Sequence, residues 1–168
     1  KLSINVMFKT IILIPSRLSA TRLPRKPLLK INGISIISHV VKKAQEADIG
    51  EVFVATEDEE ILDDVNLNGG KAIITSNKHK TGSDRIFECF EKLNLKDIEY
   101  IINLQGDEPN IDINDLKNLN ELIQVYKPQI GTLAAEIQNK SDLSNQNIVK
   151  VITDNKINAK NFPSAIDF

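Results

Sequence analysis

The sequence predicts an α/β domain built on a mainly parallel sheet, and three observations carry that expectation. Apolar, β-rich runs alternate with helical patterns along the chain. Several of those runs are apolar without a break, as strands covered on both faces are. No repeat or low-complexity linker interrupts the alternation. A chain of 168 residues has the usual size of one domain, so a single domain over 1–168 is expected.

Strands are expected at Thr10–Ile14, Glu51–Thr56, Lys71–Thr75, Tyr100–Leu104, Gly131–Ile137 and Ile148–Thr153. Between them, Ile36, Ile37, Val40, Val41, Ala44 and Ala47 recur at helical spacing behind Ser35, an N-cap residue type. Ile86, Phe87, Phe90 and Leu93 mark a second helix that starts near Thr81 or Ser83. Leu116, Leu119, Leu122 and Ile123 mark a third, beginning around Asp112. In such sheets ligands bind outside the carboxyl ends of the strands. That rule places Pro15 onward, Thr56 onward and Gln105 onward on one rim.

Charge is distributed unevenly. The chain carries a net charge of −2, yet its first acid is Glu46, and nine of its 21 Lys and Arg precede it. The mild net charge argues against general nucleic-acid binding. A local cluster of cations suits a small polyanion instead. No apolar stretch approaches the roughly 18 residues of a membrane span. The lone Cys89 cannot form an internal disulfide, so a reducing cytoplasm is the expected compartment. The start, KLSINVMFK, is too short and polar for a signal peptide, and its lack of an initiating Met points to an incomplete or trimmed chain.

Three clusters fall on the expected rim. After the first strand, PSRLSATRLPRKPL carries Arg17, Arg22, Arg25 and Lys26 among Ser16, Ser19 and Thr21, stiffened by Pro15, Pro24 and Pro27. A stiff loop of donors suits a triphosphate, though solvated surface cations have the same composition. It is not a Walker A loop, because the Gly spacing is absent. EYIINLQGDEPNI ends a strand at Gly106, Asp107 and Pro109. Asp107 there is either part of an acidic turn or a ligand for Mg²⁺, which prefers one or two carboxylates with phosphates and waters. HKTGSDRI offers Gly82, Ser83 and Arg85 at a helix start, as a capped loop or as a polar-ligand site. His39 and His79 are not spaced as a metal pair.

Together, PSRLSATRLPRKPL, VATEDEEI, HKTGSDRI, NLQGDEP and NIVKV stand in an order and spacing that resemble the cytidylyltransferases that activate 3-deoxy-manno-octulosonate (Kdo). The resemblance runs from about residue 10 to about residue 154. It rests on R-x-x-[AS]-[ST]-R-[LF]-P-x-K-P-L joined to QGDEP. The relatives that activate sialic acid share a related loop and remain an alternative. The resemblance implies a mixed sheet of the nucleotide-diphospho-sugar transferase (Rossmann-like) fold. It also implies transfer of a cytidylyl group from CTP to Kdo in the cytoplasm, for lipopolysaccharide. It places Arg17, Arg22 and Lys26 on the triphosphate, Asp107 on Mg²⁺ and Gln105 toward the sugar. Gly82, Ser83 and Arg85 would help to form the nucleotide pocket.

The resemblance also implies features that this sequence does not carry. A Ser-Arg pair is expected before a Pro where AKNFPSAIDF stands. A sugar-contacting His, a dimer-forming segment and a late Mg²⁺-binding Asp are expected after residue 168. The expectation is therefore a C-terminally truncated chain that, at the most, binds nucleotide. Ala20 and Arg25 stand where Ser and Gly are common in the family, and Glu57 replaces a frequent Asp.

Overall fold

The computed structural model describes residues 9–19, 23–158 and 161–167, which fall into two compact units, Lys1–Leu116 and Lys117–Phe168. The first is an α/β unit. Its sheet comprises β1 (Lys9–Ser16), β4 (Val52–Thr56), β5 (Ala72–Ile74) and β6 (Ile98–Asn103), in the order β5-β4-β1-β6. Every ladder among these four is parallel. Antiparallel pairing is confined to β2 (Lys30–Ile31) with β3 (Ile34–Ser35), and to β7 (Ile152–Thr153) with β8 (Ala165–Asp167). The expected mixed, mainly parallel architecture is the one observed.

Alternation along β1 divides the core. Ile12 and Ile14 face α1 (Ile36–Glu46) and α2 (Glu59–Leu67), packing with Ile37, Val40, Val41, Ala44, Ile61 and Val65. Ile11 and Leu13 face the opposite way, toward Ile86 and Cys89 of α3 (Gly82–Leu93). All four β1 residues are fully buried, which is why this run is apolar without a polar alternate.

The helix starts follow capping chemistry. Ser35 accepts the Ser38 amide at 3.1 Å and also donates to the Asp64 carboxylate, which takes the Ser38 hydroxyl at 2.8 Å. Asp64 lies on α2, so one carboxylate joins the starting turn of α1 to its neighbour. Thr81, not Ser83, caps α3, accepting the Asp84 amide at 3.1 Å. α4 (Ile113–Tyr126) follows Asp112, whose Oδ1 accepts the Asn114 amide at 2.8 Å.

Four features differ from expectation. α2 carries Ile61, Leu62 and Val65 behind Asp58, a helical signal that its many acids obscure. The β2–β3 hairpin turns on Asn32-Gly33, both at positive φ (50° and 83°), a dipeptide that is itself a hairpin signature. Gly131–Ile137 is not a strand. Thr132 to Glu136 are exposed and no ladder partner lies beside them among the described residues, and β-propensity alone does not hold an extended segment. Ile148–Thr153 shortens to Ile152–Thr153, paired with Ala165–Asp167. In this second unit α5 (Lys140–Ser144) precedes β7, and Tyr126 stacks on Phe162 with ring centroids 5.7 Å apart. No helix among the described residues is long and apolar enough to cross a membrane.

Replacing Ser35 by Ala removes the cap of α1 and one donor from Asp64. A loss of about 1–2 kcal/mol is expected, read as a lower urea midpoint at unchanged m-value.

Candidate functional site

Register brings the candidate residues together. Ser16, the last residue of β1, pairs with Thr56 at the end of β4, and the Leu104 amide donates to the Leu13 carbonyl at 3.1 Å. The segments that begin at Arg17, Glu57 and Gln105 therefore leave the sheet side by side. Two close approaches pack them. A Cβ on Gly106 would stand 2.9 Å from the Pro15 carbonyl oxygen, and one on Gly82 would stand 3.2 Å from Pro15 Cγ. The turn after β6 and the start of α3 thus both abut the residue that opens the basic loop. Glycine at 106 permits a contact with backbone that no side chain would allow.

The loop's cations meet acids from elsewhere in the chain. Lys26 Nζ donates to Asp107 Oδ2 at 2.6 Å, across 81 residues of sequence. Arg25 forms a two-pronged pair with Glu60 at the start of α2, one prong being Nη1 to Oε1 at 3.0 Å. The Leu18 amide donates to Asp58 Oδ2 at 2.8 Å. An acid-free stretch of sequence is thereby neutralised in space, so the repulsion among its cations is relieved before any ligand binds. Arg25 takes up a left-handed conformation, φ 61°, at the position where the resemblance has Gly. Arg17 is exposed and has none of the hydrogen bonds or ion pairs found among the described residues, which leaves its guanidinium open to an anion. Arg22 lies outside the described residues.

The other candidates divide. Asp107 is half exposed at the carboxyl edge of the sheet, and Gln105 beside it donates to Asn103 Oδ1 at 3.2 Å. Gly82 and Ser83 are exposed at the start of α3. Arg85 is buried instead. Its Nη1 donates to Thr75 Oγ1 at 2.6 Å and to the Ser76 carbonyl at 3.3 Å, and its Nη2 to the Glu57 carboxylate. A guanidinium engaged in this way shapes the rim and does not reach into it.

Partners of this kind, distant in sequence, are what sequence reading misses. Glu57, Asp58 and Glu60 lie in a run of acids that reads as a solvated helix start. Glu88 is another such partner, taking hydrogen bonds from Lys92, the Ser76 amide and His79. Those donors hold its carboxyl far below the usual range, at about 2. Burial pushes the Cys89 thiol up to about 11, which removes it as a nucleophile.

No group of three or more His, Cys, Asp and Glu that could hold a metal occurs among the described residues. Asp107 does present a hard oxygen ligand, half exposed beside the Lys26 ammonium. That set fits Mg²⁺ bound by one carboxylate, with phosphate and water oxygens completing its shell.

Comparison with known proteins follows the same lines. The cytidylyltransferase family model matches residues 11–165. A 3-deoxy-manno-octulosonate cytidylyltransferase of Rhodopseudomonas palustris (strain BisB18) is 45% identical over 145 residues, 86% of this chain and 59% of that protein. Its counterpart in Thermodesulfovibrio yellowstonii is 46% identical over 151 residues, again covering 86% and 59%. Among solved structures, a CMP:2-keto-3-deoxy-manno-octonic acid synthetase complexed with CTP matches with a TM-score of 0.65 and 42% identity, covering 70% of this chain and 48% of that one. A cytidylyltransferase from Leptospira borgpetersenii serovar Hardjo-bovis (strain JB197) matches with a TM-score of 0.60 and 28% identity, covering 72% and 50%. The chain thus spans less than two thirds of the length of these relatives.

Two outcomes are expected of the ion pairs. Glu88, whose folded pKa of about 2 lies below the ordinary 4.5, adds stability above pH 4.5 that is lost as pH falls toward 2. Urea unfolding at pH 5 and pH 2.5 should show a smaller drop for Glu88→Gln than for the parent. Lys26→Met breaks only a solvent-exposed pair, so its unfolding free energy should stay within about 1 kcal/mol of the parent.

Proposed function

We propose a function from one premise: this chain belongs to the cytidylyltransferase family. The reading is that it binds CTP at the β1–β6 rim and takes part in cytidylyl transfer to Kdo, giving CMP-Kdo and pyrophosphate. The sugar assignment is supported by the relatives, which carry the name 3-deoxy-manno-octulosonate cytidylyltransferase. The nucleotide assignment is supported by the CTP complex of the similar synthetase. The observation in this chain that carries the proposal is the meeting of Lys26 and Asp107 at 2.6 Å, a cation and a hard carboxylate at adjacent strand ends.

The chemistry asks for placement and charge neutralisation more than for covalent participation. The anomeric hydroxyl oxygen of the sugar attacks the α-phosphorus. The bond from that phosphorus to the bridging oxygen breaks, pyrophosphate departs with the bonding electrons, and the hydroxyl proton passes to solvent. Arg17, without a protein partner among the described residues, binds triphosphate oxygens, a role the family resemblance also gives to Arg22. Lys26 turns from Asp107 to the phosphates and offsets the charge that builds on the leaving group. Gln105 orients the sugar. Asp107 would hold Mg²⁺, which would supply neutralisation of charge on the phosphates and ease loss of the hydroxyl proton. Synthesis of CMP-Kdo in the cytoplasm for lipopolysaccharide is the biological setting of this reading, and no nucleic acid or membrane enters the reaction. The family is usually homodimeric, and the segment expected to make that contact is not among residues 1–168.

The test is a paired measurement of CTP binding by calorimetry and pyrophosphate release with CTP, Kdo and Mg²⁺. The parent chain should bind CTP, and any turnover should fall about 100-fold or more in Asp107→Ala, the scale of loss when reacting groups are misplaced. CTP binding without turnover assigns the chain to nucleotide binding alone. Preference for sialic acid over Kdo overturns the sugar assignment, and absence of CTP binding overturns the reading.

A further inference from the structure

Arg85 sits in the opening turn of α3, just after Gly82 and Ser83, and is only 2% exposed. Its partners stand at the ends of two neighbouring strands. Glu57 directly follows β4, while Thr75 and Ser76 directly follow β5. One planar guanidinium therefore joins three segments of the rim. Glu88, further along α3, makes a second attachment, accepting the Ser76 amide at 2.9 Å and pairing with His79. At its far end the loop closes on Thr81, the cap of the same helix. A short connection of polar residues would otherwise sample many conformations, and ordering it on binding would lower affinity.

Stability alone does not explain this arrangement. A buried ion pair adds little net stability compared with apolar packing of the same volume. What it supplies here is direction, because the guanidinium satisfies acceptors on separate strand ends only in one relative placement of them.

We infer that the Glu57–Arg85–Thr75 network is a positioning device for nucleotide binding, presetting residues 75–83 as a rigid wall of the CTP site without touching the nucleotide. The inference rests on the nucleotide reading above and adds to it Glu57 and Thr75, with Arg85 acting through others.

Arg85→Ala would leave the half-buried Glu57 carboxylate without its partner and endanger folding, so milder variants make the test. In Thr75→Val the acceptor is lost at nearly constant volume. Glu57→Gln removes the charge, and Glu57→Asp keeps it. Calorimetry with CTP and amide hydrogen exchange are measured on each, with thermal unfolding as the check of folded state. Thr75→Val and Glu57→Gln should each weaken CTP binding about tenfold, with Glu57→Asp within about threefold of the parent. Exchange at the amides of 76–83 should quicken in the first two and not in the third. A folded Thr75→Val that binds CTP as tightly as the parent overturns the inference while leaving the nucleotide reading intact. A parent that binds no CTP overturns both.

Discussion

The central strand governs this molecule. β1 is hydrogen-bonded on both sides, to β4 and to β6, and carries four consecutive residues with no exposed surface. Slipping its register by one residue would exchange the faces that meet α1 and α3 and would move every strand end that borders the rim. The parallel ladders therefore do more than build a core. By fixing where Ser16, Thr56 and Leu104 stop, they decide which loops can share a ligand.

Given that scaffold, the lopsided charge of the sequence becomes intelligible. The first 45 residues contain nine cations and no acid, and a loop carrying several of them would repel itself if left alone. Asp58, Glu60 and Asp107 come from two other strand ends to receive it. Segregation along the chain is thus compatible with neutralisation in space, and the fold brings the two signs together at the rim where β1 ends.

The sequence allowed the main sheet, three helices and the rim to be read because each is written locally, in apolar runs, helical spacing or a capping residue. Ser35 and Asp112 announce the helices that they precede. The meeting of Lys26 with Asp107 was accessible by a less direct route, since both follow strands that a parallel sheet must set side by side. Arg85 shows where such reading stops. A helix-start arginine beside Gly82 and Ser83 has the same local signature whether it faces a ligand or a protein carboxylate, and only the position of Glu57, 28 residues away, separates the two. The Gly131–Ile137 stretch fails for a related reason, because a strand exists only in the presence of a partner that the stretch itself does not encode.

Two kinds of cation emerge from this comparison, and their exposure tells them apart. The Lys26 and Asp107 side chains keep 35% and 52% of their surface exposed, so each is already close to water and would lose little on exchanging its partner for phosphate or metal. The Arg85 and Glu57 side chains keep 3% and 16%, and separating them would strand a charge away from solvent. Exchange is open to the first pair and closed to the second. A site that must bind and release a polyanion needs both kinds: cations that can change partners, and a frame that does not move when they do. Different strand ends supply the two, with the exchangeable pair across β1 and β6 and the fixed one joining the start of α3 to the ends of β4 and β5.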